Sequence, residues 1–226
     1  MGAMGMNRKT SIGIVIALGA MTTACAGSRA PLLAPGTGIQ AVRNNTTEHS
    51  PLAKGDRPIT EADVHFMTGM ISHHAQAVLI AGWAESHGAS PALVRLCERI
   101  VVAQRDEIEL MRNWLRLKGK PVPAATDLRM RMTMNGMTHD MLMPGMLTDE
   151  ETAELNKARG VEFDRLFLKA MIKHHEGALT MVDELLAAPG AAADDIVFLF
   201  ANDVHADQTT EIAVMQKMLD ALPPKR

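Results

Sequence analysis

Tyrosine is absent from this chain, aromatics are reduced to five Phe and two Trp in 226 residues, and there are only two cysteines. Each shortage excludes something. With so few aromatic rings and 18 Met, the interior must be built from Leu, Ile, Val, Ala and Met, a composition that favours helices over sheets. Two cysteines, Cys25 and Cys97, cannot make a disulfide framework. A formal net charge of -3 and the lack of any Lys/Arg block leave no basic field for nucleic acid. What remains is ample: 47% hydrophobic residues, enough to bury a core in one good-sized domain or two small ones.

The N-terminus reads as a targeting segment. Arg8 and Lys9 precede the apolar run Ile12 to Met21, which is about ten residues, too short to span a bilayer and the right size for a signal sequence. The run ends in Thr22-Thr23-Ala24-Cys25, which resembles a bacterial lipobox whose Cys is lipidated. Residues 1–25 are therefore expected to direct export, with a lipid anchor on Cys25 as the membrane partner; simple cleavage near Ala24 to Ala26 is the alternative. Residues 26–57, rich in Gly, Pro, Asn and Thr, read as a flexible tether with an r.m.s. reach of about 30 Å. His49 in the tether, and His65 and His87 further on, are expected to be solvated, whereas Cys97 falls on an apolar stripe with Leu93 and Ile100 and reads as a small buried hydrophobe.

Residues 58–222 carry four long helical patterns. The first starts at the capping box Thr60-Glu61-Ala62-Asp63 and is expected to reach His87, with Gly88 as its stop. Ser90 caps the second, Pro91 fills its first turn, and it runs to Gly119. A Met-rich connector occupies residues 119–147; a second capping box, Thr148 to Glu151, opens a short helix; the third and fourth long helices cover about Val161 to Ala188 and Ala193 to Leu222.

The chain also repeats itself. Asp63, Phe66, Met70, Ile71, His73, His74 and Ala77 recur at an offset of 101 as Asp164, Phe167, Met171, Ile172, His174, His175 and Ala178. Gln104, Glu107, Ile108, Met111 and Leu115 recur at an offset of 104 as Gln208, Glu211, Ile212, Met215 and Leu219. Two copies of a helical hairpin, residues 58–118 and 148–222, would bury their apolar faces on one another as an all-α four-helix bundle with a pseudo-two-fold axis. The doubled His-His motif, the Q-x2-EI-x2-M pattern, the PGML of the connector and RGVEFDRLFLKAMIKHHEGAL resemble the domain-of-unknown-function family 305. That resemblance implies an exported bacterial protein with a ferritin-like four-helix bundle, in a family where some members bind copper or silver.

Adjacent helical residues point about 100° apart, so the two members of each His pair cannot face one partner alike. His74 shares a stripe with Asp63, Met67 and Met70, and His175 shares the equivalent stripe with Asp164, which marks His74 and His175 as the inward members. Counted from the turns, His74 and Gln104 fall at one height, about 22 Å along the hairpin, with Glu107 a turn beyond. His175, His205, Gln208 and Glu211 fall at the matching height in the second repeat. Imidazole, carboxylate and carboxamide converging inside a bundle are a means of holding a transition metal, although His-Glu and His-Gln hydrogen bonds could satisfy the same groups without one. Asp63 and Asp164 are candidates too, with helix capping as the competing role.

A second candidate site is the connector, where Met130, Met132, Met134, Met137, Met141, Met143 and Met146 flank His139. Thioether sulfur is a soft, neutral ligand suited to Cu(I) or Ag(I), and Gly136, Pro144 and Gly145 break the segment too often for a continuous helix. Met as an adaptable filler is the competing explanation. The sequence thus points to an exported, tethered metal-binding protein for copper, Cu(I) above other transition metals, serving tolerance or delivery by binding and exchange rather than turnover. Two other functions stay open: an envelope interaction protein whose polar layer only fixes helix pairing, and a ferritin-like oxidase. The last is disfavoured because no Glu is followed by His three residues later. The partner is a metal ion, and a homo-oligomer is compatible with everything above.

Overall fold

The structure, a computed structural model, describes residues 58–134 and 137–224. Residues 1–57, with the segment expected to direct export, Cys25, and the expected tether with His49, lie outside the described residues. Seven elements follow in order: α1 (Glu61–Ala81), α2 (Pro91–Leu117), β1 (Met130–Met134), β2 (Met137–Met141), α3 (Asp149–Lys157), α4 (Gly160–Ala187) and α5 (Asp195–Asp220). The molecule is mostly helical. α1 packs along α2, α4 along α5, and the two hairpins meet through α1 and α4.

The helix starts follow from local chemistry. Thr60 and Asp63 close a reciprocal capping box on α1, Thr148 and Glu151 close another on α3, and Ser90 accepts from the backbone of Leu93 with Pro91 behind it. α5 is capped by Asp194, whose carboxylate takes the N–H groups of Ile196 and Val197. The same carboxylate accepts from the Trp114 indole at 3.1 Å and pairs with Lys118 at 2.8 Å, tying the end of α2 to the start of α5.

Two expectations need correction. The first helix stops at Ala81, not His87, and tightens into successive i to i+3 turns through Trp83 and Ala84 before Gly88 at φ 68°. Tertiary contacts decide this. His87 is buried, not solvated: it stacks on Trp83 and packs at a tilt against Phe163, and its Nε2 lies 3.0 Å from the Asn156 backbone oxygen. The connector forms no continuous helix, in keeping with Gly136, Pro144 and Gly145. It folds into an antiparallel ribbon pairing Met130 with Met141, Met132 with His139 and Met134 with Met137. Asn135-Gly136 between the two strands is the strongest short hairpin signal a sequence offers.

The core is split in two. One cluster gathers Phe66, Met67, Met70, Met111, Trp114, Met181 and Phe200; the other gathers Leu93, Ile100, Phe163, Phe167, Met171 and Met215. On every long helix the residues between the clusters are polar: His73 and His74, Gln104 and Glu107, His174 and His175, Gln208 and Glu211. Burying each large apolar side chain contributes roughly 1.5 to 3 kcal/mol, so the two clusters support a layer that would be costly by itself.

Candidate metal centre

All four paired histidines are fully buried, so His73 and His174 are not the flanking members the stripe analysis expected. They form the contact between hairpins, with ring centroids 3.7 Å apart. His74 and His175 turn toward the second helix of their own hairpins. His74 Nε2 lies 2.8 Å from Glu107 Oε2, and His175 Nε2 lies 2.7 Å from Glu211 Oε2. A carboxylate can only accept, so the His175 ring nitrogen donates to Glu211, whereas His74 Nε2 and Glu107 Oε2 approach without the alignment of a hydrogen bond. Glu211 therefore orients its imidazole, the role that carboxylates play behind metal-bound histidines, and Glu107 stands at the equivalent place beside His74.

His73 is fixed in the same sense by the connector: its Nε2–H donates to the Pro144 carbonyl at 3.1 Å. Among the described residues the Nδ1 atoms of His73, His74, His174 and His175, Nε2 of His74 and of His174, Oε2 of Glu107, both amide atoms of Gln104, and Oε1 of Gln208 have no hydrogen-bond partner. Buried polar groups are normally paired, so this layer is short of partners for the atoms that could hold a cation. Burial, reinforced by the neighbouring imidazoles, holds His73 and His174 well below the usual histidine range, so both are neutral at pH 7 and able to ligate. The donors are nevertheless dispersed. Among the described residues no three His, Cys, Asp or Glu side chains gather around one point.

Other expected ligands fall elsewhere. His205 is exposed on α5 and does not enter the layer, because the inward stripe of α5 runs through Val204 and Gln208 instead. Asp63 and Asp164 are structural. Asp63 accepts from Thr60 N at 2.7 Å and, through its other oxygen, from Ala192 N at 2.7 Å in the α4–α5 turn. Asp164 accepts from Ser90 N, at 3.1 and 3.2 Å, in the turn between α1 and α2. Each hairpin thus clamps the turn of the other, and both carboxylates stand at helix starts, remote from the layer. Cys97 is buried, and burial, seconded by Asp164, pushes its thiol up to about 12, so it is no thiolate ligand at neutral pH.

Between α2 and α5 a cleft of about 340 Å³ opens onto the layer, lined by Gln104, Glu107, Asp207, Gln208 and Glu211. Burial and then the charges of Glu107 and Glu211 push the Asp207 carboxyl above its ordinary range. The cleft is an acidic mouth.

The ribbon supplies softer donors. Cross-strand partners share a face, and alternate residues of a strand share it too, so Met130, Met132, Met137, His139 and Met141 belong to one face, with Arg131, Thr138 and Asp140 on the other. Met134 pairs with Met137 in register, its side chain lying outside the description. Met137 is 62% exposed and Met141 39%, and His139 is exposed as well, whereas Met130, Met143 and Met146 are buried.

The connector is held down by residues that the sequence pattern had not singled out. Gln76 clamps Leu147 from both sides, Nε2 to its oxygen at 2.9 Å and Oε1 from its N–H at 2.7 Å. A Cβ on Gly177 would come within 2.0 Å of the Pro144 oxygen, so Pro144-Gly145 lies directly on α4. Gln76 and Gly177 are repeat equivalents, and their mismatch was the available signal.

Two helical hairpins joined by a methionine ribbon, around a layer of buried imidazoles, define a helical-bundle protein with a soft-donor connector. The chain belongs to the family called domain of unknown function DUF305, whose sequence model matches residues 63–219. Solved relatives agree. A DUF305 protein of Streptomyces coelicolor, described as secreted, is 26% identical, with 73% of this chain and 98% of that one covered and a TM-score of 0.59. A DUF305 fragment from Deinococcus radiodurans is 26% identical over 73% and 99% of the two chains, with a TM-score of 0.59. CopM in its Cu(I)-bound form is 26% identical over 70% and 95%, with a TM-score of 0.52, and CopM has also been solved with Cu(II) and with Ag. No curated protein matches the chain.

Proposed function

We propose that this is an exported, membrane-tethered metal-binding protein that captures Cu(I), or Ag(I) in its place, for copper tolerance or delivery, by binding and exchange without turnover. The observation that carries the proposal is the register of the ribbon. It sets Met130 opposite Met141 and Met132 opposite His139 on one face, and leaves Met137, His139 and Met141 open to solvent. Core packing gives no reason to leave thioethers in water. Copper and silver binding by CopM supports the reading, as do the imidazoles held neutral beneath the connector. Export and a lipid on Cys25 complete it.

The test is a Cu(I) titration of the purified chain under anaerobic, reducing conditions, beside a ribbon variant M132L/M137L/H139A/M141L and a layer variant with His73, His74, His174 and His175 changed to Ala. Tight uptake that the ribbon variant loses in part supports capture by the ribbon. No uptake tighter than micromolar by the parent would sink the proposal. It would leave the second reading, a structural polar layer in an envelope interaction protein, which the His74–Glu107 and His175–Glu211 pairs and the dispersal of the donors favour.

A further inference from the structure

Methionines also gather behind the exposed part of the ribbon, where Met130 of β1 is buried. A Cβ built on Gly69 of α1 would stand 2.7 Å from Met143 Sδ, 3.3 Å from Met130 Sδ and 3.3 Å from Met181 Cε. Gly69 lies within a helix, where glycine costs roughly 0.5 to 1 kcal/mol relative to alanine, and its repeat equivalent is Ala170. The missing methyl therefore has a local effect. It lets two sulfurs from the connector and the end of an α4 methionine rest together against the α1 backbone. All three methionines are 5% exposed.

A nitrogen donor lies one helical turn along α1 from Gly69. His73 is four residues beyond Gly69, on the same face of α1. Its Nε2–H is spent on the carbonyl of Pro144, the residue bonded to Met143, so its Nδ1 lone pair is free and without a partner. Buried one turn from Gly69, that lone pair is hard to explain by packing alone.

The nest also communicates with the ribbon. A cleft of about 440 Å³ is lined by Met141 of the ribbon, His65 and Phe66 of α1, and Met143 and Met181. Met141, Met143 and Met181 thus face one cleft, beside the apolar side chains of Phe66, Leu142 and Leu185.

We infer that Met130, the buried end of the ribbon, with Met143 and Met181, packed on Gly69 and with His73 one helical turn away, form an inner site for a soft monovalent cation, Ag(I) or Cu(I), behind the exposed ribbon residues Met137, His139 and Met141. Thioethers and a neutral imidazole bind such an ion without releasing a proton, and its single charge is the least costly to bury. The inner site retains what the ribbon catches. It rests on the capture reading above and adds to it Met181, which no pattern in the sequence marked.

The probe is Ag(I), which needs no reductant. In the full chain labelled at the methionine ε-methyl carbons, titration is expected to shift the methyl signals of Met130, Met143 and Met181, and native mass spectrometry is expected to count one ion fewer in Met181→Leu and in Gly69→Ala. Gly69→Ala meets only the flexible ends of side chains, so it keeps the fold while displacing the sulfurs; circular dichroism confirms that both variants remain helical. Ribbon variant M132L/M137L/H139A/M141L should keep the inner ion and lose an outer one. Parental stoichiometry in both inner variants, with the three methyl signals unmoved while ribbon methyls shift, overturns the inner site and leaves capture standing. Absence of any Ag(I) uptake by the parent overturns both.

Discussion

At the scale of single residues His73 and His174 are held neutral, and that has a cost in acid. In the folded chain His73 and His174 protonate well below 6.5, chiefly because burial disfavours the charged ring, whereas in the unfolded chain both titrate near 6.5. Above that pH neither state holds the extra protons, and the stability is complete. As the pH falls below it, the unfolded chain binds protons that the fold refuses, and stability drops by up to about 1.4 kcal/mol per pH unit for each imidazole. Urea midpoints of the metal-free chain should therefore fall steadily between about pH 7 and about pH 5, and a His73→Leu/His174→Leu variant should show a flatter profile. Equal slopes in the two proteins would mean that other groups govern the acid response.

Among the elements, the connector is the one whose geometry is set least by its own sequence and most by what it lies on. Pro144-Gly145 touches α4 where Gly177 has no side chain, and the atoms that a new Cβ would meet are backbone, at 2.0 and 2.4 Å. Backbone cannot swing aside as a methionine can. Gly177→Ala is expected to lift the connector, at a cost of about 1 to 3 kcal/mol, while favouring the helix that carries it. Limited proteolysis should then cut between residues 119 and 147 much faster than in the parent. An unchanged digestion rate and denaturation midpoint would show that the close approach is not a constraint. The four long helices and the caps at Thr60, Ser90 and Thr148 were legible, because apolar periodicity and capping chemistry are local. The ribbon was not, since Met at alternate positions is neither a polar nor an apolar face by the usual pattern, although Asn135-Gly136 was there to be read. Where the connector crosses the bundle the repeat fails, with Gln76 against Gly177 and Gly69 against Ala170. Those failures mark the docking sites of the connector.

For the whole molecule the pseudo-two-fold arrangement is secured at both ends by the reciprocal aspartates, one on the α4–α5 turn and one on the α1–α2 turn. Sequence reasoning could weigh Asp63 and Asp164 as ligands or as caps because their spacing from the histidines suits either role; only the antiparallel approach of α1 and α4 decides. A 21-residue α1 is about 30 Å long, so the two clamps are far apart and share no partner. Asp63→Ala leaves the N–H of Ala192, a residue at φ 53°, without its acceptor, and Asp164→Ala does the same to Ser90. Each should cost about 1 to 3 kcal/mol in equilibrium unfolding. The double variant should lose the sum within about 0.5 kcal/mol, as independent sites do. Ag(I) stoichiometry should be unchanged in both single variants. Strong coupling between the two substitutions, together with a lost ion, would instead return the aspartates to a common metal site.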